Sequence, residues 1–229
     1  MAIDFRLGRY QDVLGDVAAD ALICDPPYSA RTHAAYNDSG IVADSGCGTI
    51  DYAAWGEADV MSFVGFWRER VRGWWVVFSD HTLIPAWHAA LEGVGLYVFA
   101  PLPHVTLNGA LRLAGDGPAS WTTWVTVARP RREPWCRWGM LPGAYVAATR
   151  NTDGLVTGAK QHHVMQAIVR DYSREGDLIV DPCAGGATTL IAAASLGRRA
   201  VGAELDADTY ERASARVRRG TTLAFPFAR

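Results

Sequence analysis

The segment from Leu178 to Arg218 constrains the fold more than any other part of the chain. Leu178 to Val180 is a short apolar run. A turn of small residues follows, then a helical pattern from Thr188 to Leu196, a second apolar run from Ala200 to Ala203, and a second helical pattern from Asp206 to Arg218. Strand, helix, strand and helix in this order argue for a mostly parallel sheet covered by helices.

The rest of the chain reads the same way, less sharply. Ala21 to Cys24 is a short strand stopped by Pro26 and Pro27. Ser29 to Ile50 is rich in Gly, Ser, Asp and Ala and reads as a long loop. Tyr52 to Arg72 reads as a helix, Trp74 to Ser79 as a buried strand, and Leu83 to Leu91 as a helix closed by Gly93. Leu96 to Ala100 and Trp121 to Ala128 read as strands, with Pro101 to Ala119 between them as a loop. Arg129 to Gly158 has no clear period. Gln161 to Ser173 carries Val164, Ile168 and Val169 at the spacing of an amphipathic helix. With 229 residues, 49% of them apolar, the expectation is one α/β domain over 1–229, with 129–158 as a small insert.

No apolar run is long enough to span a bilayer, and Met1 to Arg9 does not read as a signal peptide, so a cytoplasmic protein with no membrane partner is expected. None of the four cysteines form a Cys-x-x-Cys pair, and the histidines show no ligand spacing, so no metal is expected.

Asp181-Pro182-Cys183-Ala184-Gly185-Gly186-Ala187-Thr188-Thr189 joins the strand and helix of the C-terminal block. Such a turn lets a ligand approach the backbone and presents free N–H groups at the helix start. Glu204 ends the next strand, about 20 residues on, where an acid binds ribose hydroxyls. The Gly-x-Gly-x-x-Gly spacing of dinucleotide sites is absent, and so is the Gly-Lys-Ser/Thr of a phosphate loop. A ligand with a ribose and no phosphate, such as S-adenosylmethionine, needs only the acid and the small turn. The alternative is a turn that is glycine-rich for packing alone.

Asp25-Pro26-Pro27-Tyr28 follows a strand as well. An exocyclic amine on a base is a poor nucleophile, because its lone pair is delocalised into the ring. The Asp25 carboxylate and the Pro26 carbonyl can accept its two hydrogens and favour a pyramidal nitrogen. The Asp25 charge would then stabilise the cation that develops on methyl transfer. Tyr28 would stack on a base taken out of the duplex. The alternative is a proline-stiffened turn with a capping aspartate.

With both motifs present, the chain resembles the amino-methyltransferases of DNA, in the permuted group whose catalytic motif precedes the cofactor motif. Leu196-Gly197-Arg198-Arg199, Gly202 to Asp206, Tyr210, Ala213 and Arg216 continue the pattern. The resemblance implies a three-layer Rossmann-like fold, S-adenosylmethionine as cofactor and double-stranded DNA as partner. Asp25, Pro26, Pro27 and Tyr28 would be catalytic. Asp181, Cys183, Ala184, Gly185, Thr188, Glu204 and Asp206 would hold the cofactor, flanked by Lys160 and His162. Asp rather than Ser at position 25 favours adenine N6 over cytosine N4, and relatives of this kind often form homodimers. Three positions depart from the pattern: Cys183 stands for phenylalanine, Ala187 for the second glycine, and Lys160-Gln161 for Lys-Pro. Pro182-Cys183 also invites comparison with the Pro-Cys nucleophile of carbon-5 cytosine enzymes, but here it lies inside the cofactor turn. Methylation of RNA or of a protein amide, and a catalytically silent binding module, are the remaining alternatives.

The net charge of −2 does not mark a nucleic-acid binder, so DNA contact must come from local clusters. Arg129, Arg131, Arg132 and Arg137, interleaved with Trp135 and Trp138, form one candidate. Arg31 and His33 in the Ser29 to Ile50 segment form a second.

Overall fold

A computed structural model describes residues 3–37, 50, 52–107, 120–131, 138–148 and 159–223. Among these, nine strands form one sheet: β1 (Ile3–Leu7), β2 (Ala21–Cys24), β3 (Trp75–Ser79), β4 (Leu96–Val98), β5 (Leu102–Thr106), β6 (Thr122–Pro130), β7 (Tyr145–Ala147), β8 (Leu178–Asp181) and β9 (Arg199–Glu204). The helices are α1 (Tyr10–Val13), α2 (Ala30–Asn37), α3 (Glu57–Trp67), α4 (Ile84–Gly93), α5 (His162–Tyr172), α6 (Thr188–Ser195) and α7 (Ala207–Leu223).

The sheet order is β1-β9-β8-β2-β3-β6-β5-β7, with β4 also paired to β6. From β1 to β3 the strands run parallel. β6 runs antiparallel to β3, β4 and β5. Side chains alternate between two cores, as the period of a strand requires. On β2, Ala21 and Ile23 pack with α5 and α6 residues such as Ile168 and Leu190. Leu22 and Cys24 pack on the other face with α3 and α4 residues such as Phe63 and Trp87. The fold is therefore three layers, and β2 is buried on both faces.

The strand order creates a crevice. β2 leads through its helices to β3 on one side, and β8 leads through α6 to β9 on the other, while β2 and β8 are neighbours. In open α/β sheets a ligand site forms where connections diverge like this, outside the carboxyl ends of the strands. Leu22 lies opposite Val180, so Asp25 and the turn after Asp181 emerge side by side. Gly202 permits close packing beside the turn: a Cβ there would meet the Asp181 carbonyl oxygen and Leu190 at 2.9 Å.

Several expectations need correction. Ser29 to Ile50 is not all loop, since α2 begins directly after Ser29; 38–49 lie outside the described residues. Pro101 to Ala119 contains β5, a strand disguised by Pro103. Residues 129–158 are not wholly an insert. Arg129 and Pro130 complete β6, and Tyr145–Ala147 pairs with β5 as β7.

Candidate active site

Asp25 is half-buried at the carboxyl end of β2. Its Oδ1 accepts the Tyr28 hydroxyl at 2.8 Å, and its Oδ2 is paired with the Lys160 ammonium. Lys160 Nζ also donates to the Tyr28 oxygen at 3.0 Å and lies 5.0 Å from the centre of the Phe78 ring. Lys160 is the only lysine in the chain and is buried. A compact ammonium serves this three-way contact, where a planar guanidinium would demand a wider slot. Burial, then the nearby Asp25 charge, raises the Tyr28 hydroxyl well above its usual range, so Tyr28 stays a neutral donor. Lys160 was expected to flank the cofactor; the structure pairs it with the Asp25 carboxylate.

Asp80, at the end of β3, fixes the start of α2. One carboxylate oxygen accepts Ser29 N at 2.9 Å, Ser29 Oγ at 2.5 Å and Thr32 Oγ1 at 2.6 Å. The other accepts Thr82 N at 3.0 Å and Leu83 N at 3.1 Å. Burial opposes the charge, but these donors outweigh it and hold Asp80 below the usual carboxylate range. Asp80 was missed in the sequence. Its signal was available: an acid directly after a buried strand, at the same end of the sheet as Asp25.

On the neighbouring strands, Glu204 is half-buried, and its two oxygens accept Gly185 N at 2.9 Å and Asp206 N at 2.8 Å. Burial raises its carboxyl above the usual value. Cys183 and Gly185 reach the surface of the turn, while Pro182, Ala184, Gly186 and Ala187 are buried. A surface open at Gly185, flanked by Cys183 and an acid, fits a sugar-bearing ligand lying flat on the backbone. Asp181 lies beneath the turn, not on its surface: it is 2% exposed and accepts Cys183 N at 3.2 Å. Burial raises its carboxyl to about 7. Thr188 is buried, with its hydroxyl accepting a bond from Arg216 at 2.9 Å. Asp206 caps α7 through Thr209 N at 2.7 Å. His162 opens α5; burial and then Arg216 lower its basicity.

The expected DNA-contacting arginines separate. Arg31 is exposed in the first turn of α2, close to Tyr28 in the chain. Arg129 lies at the opposite end of the sheet, because Ala128 pairs with Trp75 at the start of β3 while Trp124 pairs with Ser79 at its end. Its guanidinium is 5.5–5.9 Å from the ring centres of Tyr97, Phe99 and Trp74. Arg131 sits 5.3 Å from the Tyr97 centre. These two therefore do not share the crevice with Asp25. Arg132 and Arg137 lie outside the described residues. His33 is buried against Tyr52.

The layered sheet, its crevice and the two acidic motifs define a class, an α/β chain with the methyltransferase fold. Residues 145–215 match the family model for DNA methylases. Among solved structures, M1.HpyAVI in complex with SAM matches with a TM-score of 0.72 and 18% identity, over 94% of this chain and 98% of that one. TTHA0409 from Thermus thermophilus, complexed with S-adenosyl-L-methionine, matches at 0.65 and 21%, over 98% and 95%. PvuII DNA methyltransferase, described as cytosine-N4-specific, matches at 0.66 and 11%, over 97% and 93%. Among curated proteins none matches the chain in sequence.

Proposed function

We propose that the protein is an S-adenosylmethionine-dependent DNA methyltransferase acting on the exocyclic amine of a flipped base, adenine N6 first. The observation that carries this reading is the placement of Asp25 and of the turn bearing Gly185 on neighbouring strands at the point where the sheet connections diverge.

Glu204 and the Cys183–Gly185 surface would hold the cofactor's sugar. When bound, the cofactor supplies an electrophilic methyl on a sulfonium. Asp25 accepts one hydrogen of the incoming amine, and the Pro26 carbonyl accepts the other. The amine takes a place on the carboxylate that Lys160 and Tyr28 hold in its absence. The carboxylate charge would then stabilise the nitrogen that becomes cationic as it bonds the methyl, until that nitrogen releases its extra proton to solvent. Tyr28 stacks on the base, and Asp80 keeps the segment after it in place through Ser29. Arg31 contacts the phosphate backbone beside the flipped nucleotide, and double-stranded DNA is the partner.

Asp25 is the reason for preferring adenine, through the resemblance described above. Cytosine N4 is the second reading, because its amine needs the same two acceptors and the PvuII enzyme shares the fold. The test is incubation with S-adenosylmethionine and unmethylated duplex DNA, then digestion to nucleosides and mass spectrometry. The proposal expects N6-methyladenine. N4-methylcytosine would replace adenine with the second reading, and no methylated nucleoside would overturn both.

A further inference from the structure

Ala187 has φ 60° and ψ 26°, and among the described residues it is the one non-glycine residue at positive φ. An L-residue keeps that conformation only where its surroundings enforce it. Its methyl is fully buried, so the turn cannot relax by turning it to solvent. Ala187 N donates to the Ala184 carbonyl at 2.7 Å, and the Ala187 carbonyl accepts Ile191 N at 3.0 Å, so its own backbone closes the turn and starts α6.

The residues on either side of Ala187 are joined by one nitrogen. Arg216 Nη1 donates to the Gly186 carbonyl at 2.7 Å and to Thr188 Oγ1 at 2.9 Å. The guanidinium sits near the start of α6, where a helix dipole disfavours a cation. The dipole therefore does not account for its position; the Gly186 carbonyl does, through a charge-assisted hydrogen bond. Arg216 comes from α7, whose Tyr210 hydroxyl is anchored to the Phe5 carbonyl on β1 at 3.2 Å. The bridge thus ties the turn to a helix fixed at the far edge of the parallel strands. The same turn presents Gly185, whose N–H meets Glu204.

We propose that Arg216 is a positioning residue that holds the cofactor turn in its binding form, and that Ala187 is what makes the turn depend on it. With glycine at 187 the left-handed conformation costs little, and the bridge becomes dispensable. This inference rests on the reading of the turn as the S-adenosylmethionine site.

The test is a double-mutant cycle on S-adenosylmethionine affinity, read by calorimetric titration of the full chain. Arg216→Met should weaken binding about tenfold, a loss typical of a removed charge-assisted bond. In an Ala187→Gly background the same replacement should weaken it by less than about threefold, the remaining loss being ordinary packing. In turnover, the loss should fall on KM for the cofactor more than on kcat. Equal losses in the two backgrounds, or none in either, would overturn the proposal while wild-type binding leaves the parent reading intact. A wild-type chain that binds no S-adenosylmethionine removes both. Where Arg216→Met does not fold, Arg216→Gln, whose shorter neutral amide cannot reach both acceptors, carries the same comparison.

Discussion

Replacing Asp80 by alanine removes the acceptor for five donors at once, and the cost can be worked from their surroundings. Ser29 N, Ser29 Oγ and Leu83 N are buried and cut off from solvent. The hydroxyl of Thr32 and the N–H of Thr82 are only part-buried and can be resolvated. A buried donor left without a partner costs about 1–3 kcal/mol. Three of them give about 3–9 kcal/mol, largely offset because a buried charge is removed and the Ser29 hydroxyl can turn to another acceptor. A net loss of about 3 kcal/mol corresponds to a fall of about 6–12 °C in the thermal midpoint for a domain of this size. Asp80→Asn keeps one oxygen for Thr82 and Leu83 and should lose about half as much. The assay is thermal unfolding followed by circular dichroism, with methyl transfer measured on the same samples. Transfer should fall as well, because Ser29 adjoins Tyr28. A midpoint for Asp80→Ala within about 2 °C of wild type would refute the claim that this carboxylate anchors the segment.

Two further predictions concern pH and DNA. Asp181 has a folded-state value of about 7 against 3.8 for the free side chain, so folding favours its protonated form. Its contribution to stability is fully present below 3.8 and is lost as pH rises toward 7. Asp181→Asn should therefore gain stability relative to wild type as pH rises through that window; parallel midpoint-against-pH curves for the two proteins would contradict this. Arg31→Ala should weaken duplex binding and flatten its salt dependence, whereas Arg129→Ala should lower the thermal midpoint and leave duplex affinity unchanged, since Arg129 is stacked among aromatic rings at the other end of the sheet. Fluorescence anisotropy at several salt concentrations separates them, and a reversed pattern would return DNA recognition to the Arg129 end.

Most of the parallel half of the sheet was legible in the sequence because local pattern and tertiary position agree there. Leu178–Asp181, α6, β9 and α7 follow the expected order, since each buried run is short, apolar and bounded by small residues. Strand β5 was not legible. Pro103 within it argues against a strand, but β5 lies between β6 and the short β7, where its ladder is completed by side pairs rather than by its own period. Tyr145–Ala147 is three residues long, too short for alternation to register. In the site, Asp25, Tyr28, Gly185 and Glu204 could be named because each ends a strand or follows one. The pairing of Lys160 with Asp25 was not foreseen: it joins residues 135 apart in sequence, and no local spacing encodes that. Asp206 and Asp181 were read as cofactor ligands; Asp206 also caps a helix, and Asp181 is buried under the turn. An acid near a ligand turn has structural work to do as well as chemical work, and only the fold tells the two apart.

The most direct measurement is a crystal structure of the protein with S-adenosylmethionine. An amine held about 2.9 Å from a carboxylate oxygen and poised about 3.3 Å from the methyl places that methyl within about 6 Å of Asp25. The account predicts the sugar hydroxyls on Glu204 and the methyl inside that distance, pointing to the carboxylate. A cofactor seated away from Glu204, or a methyl turned from Asp25 and more than about 10 Å off, would contradict it.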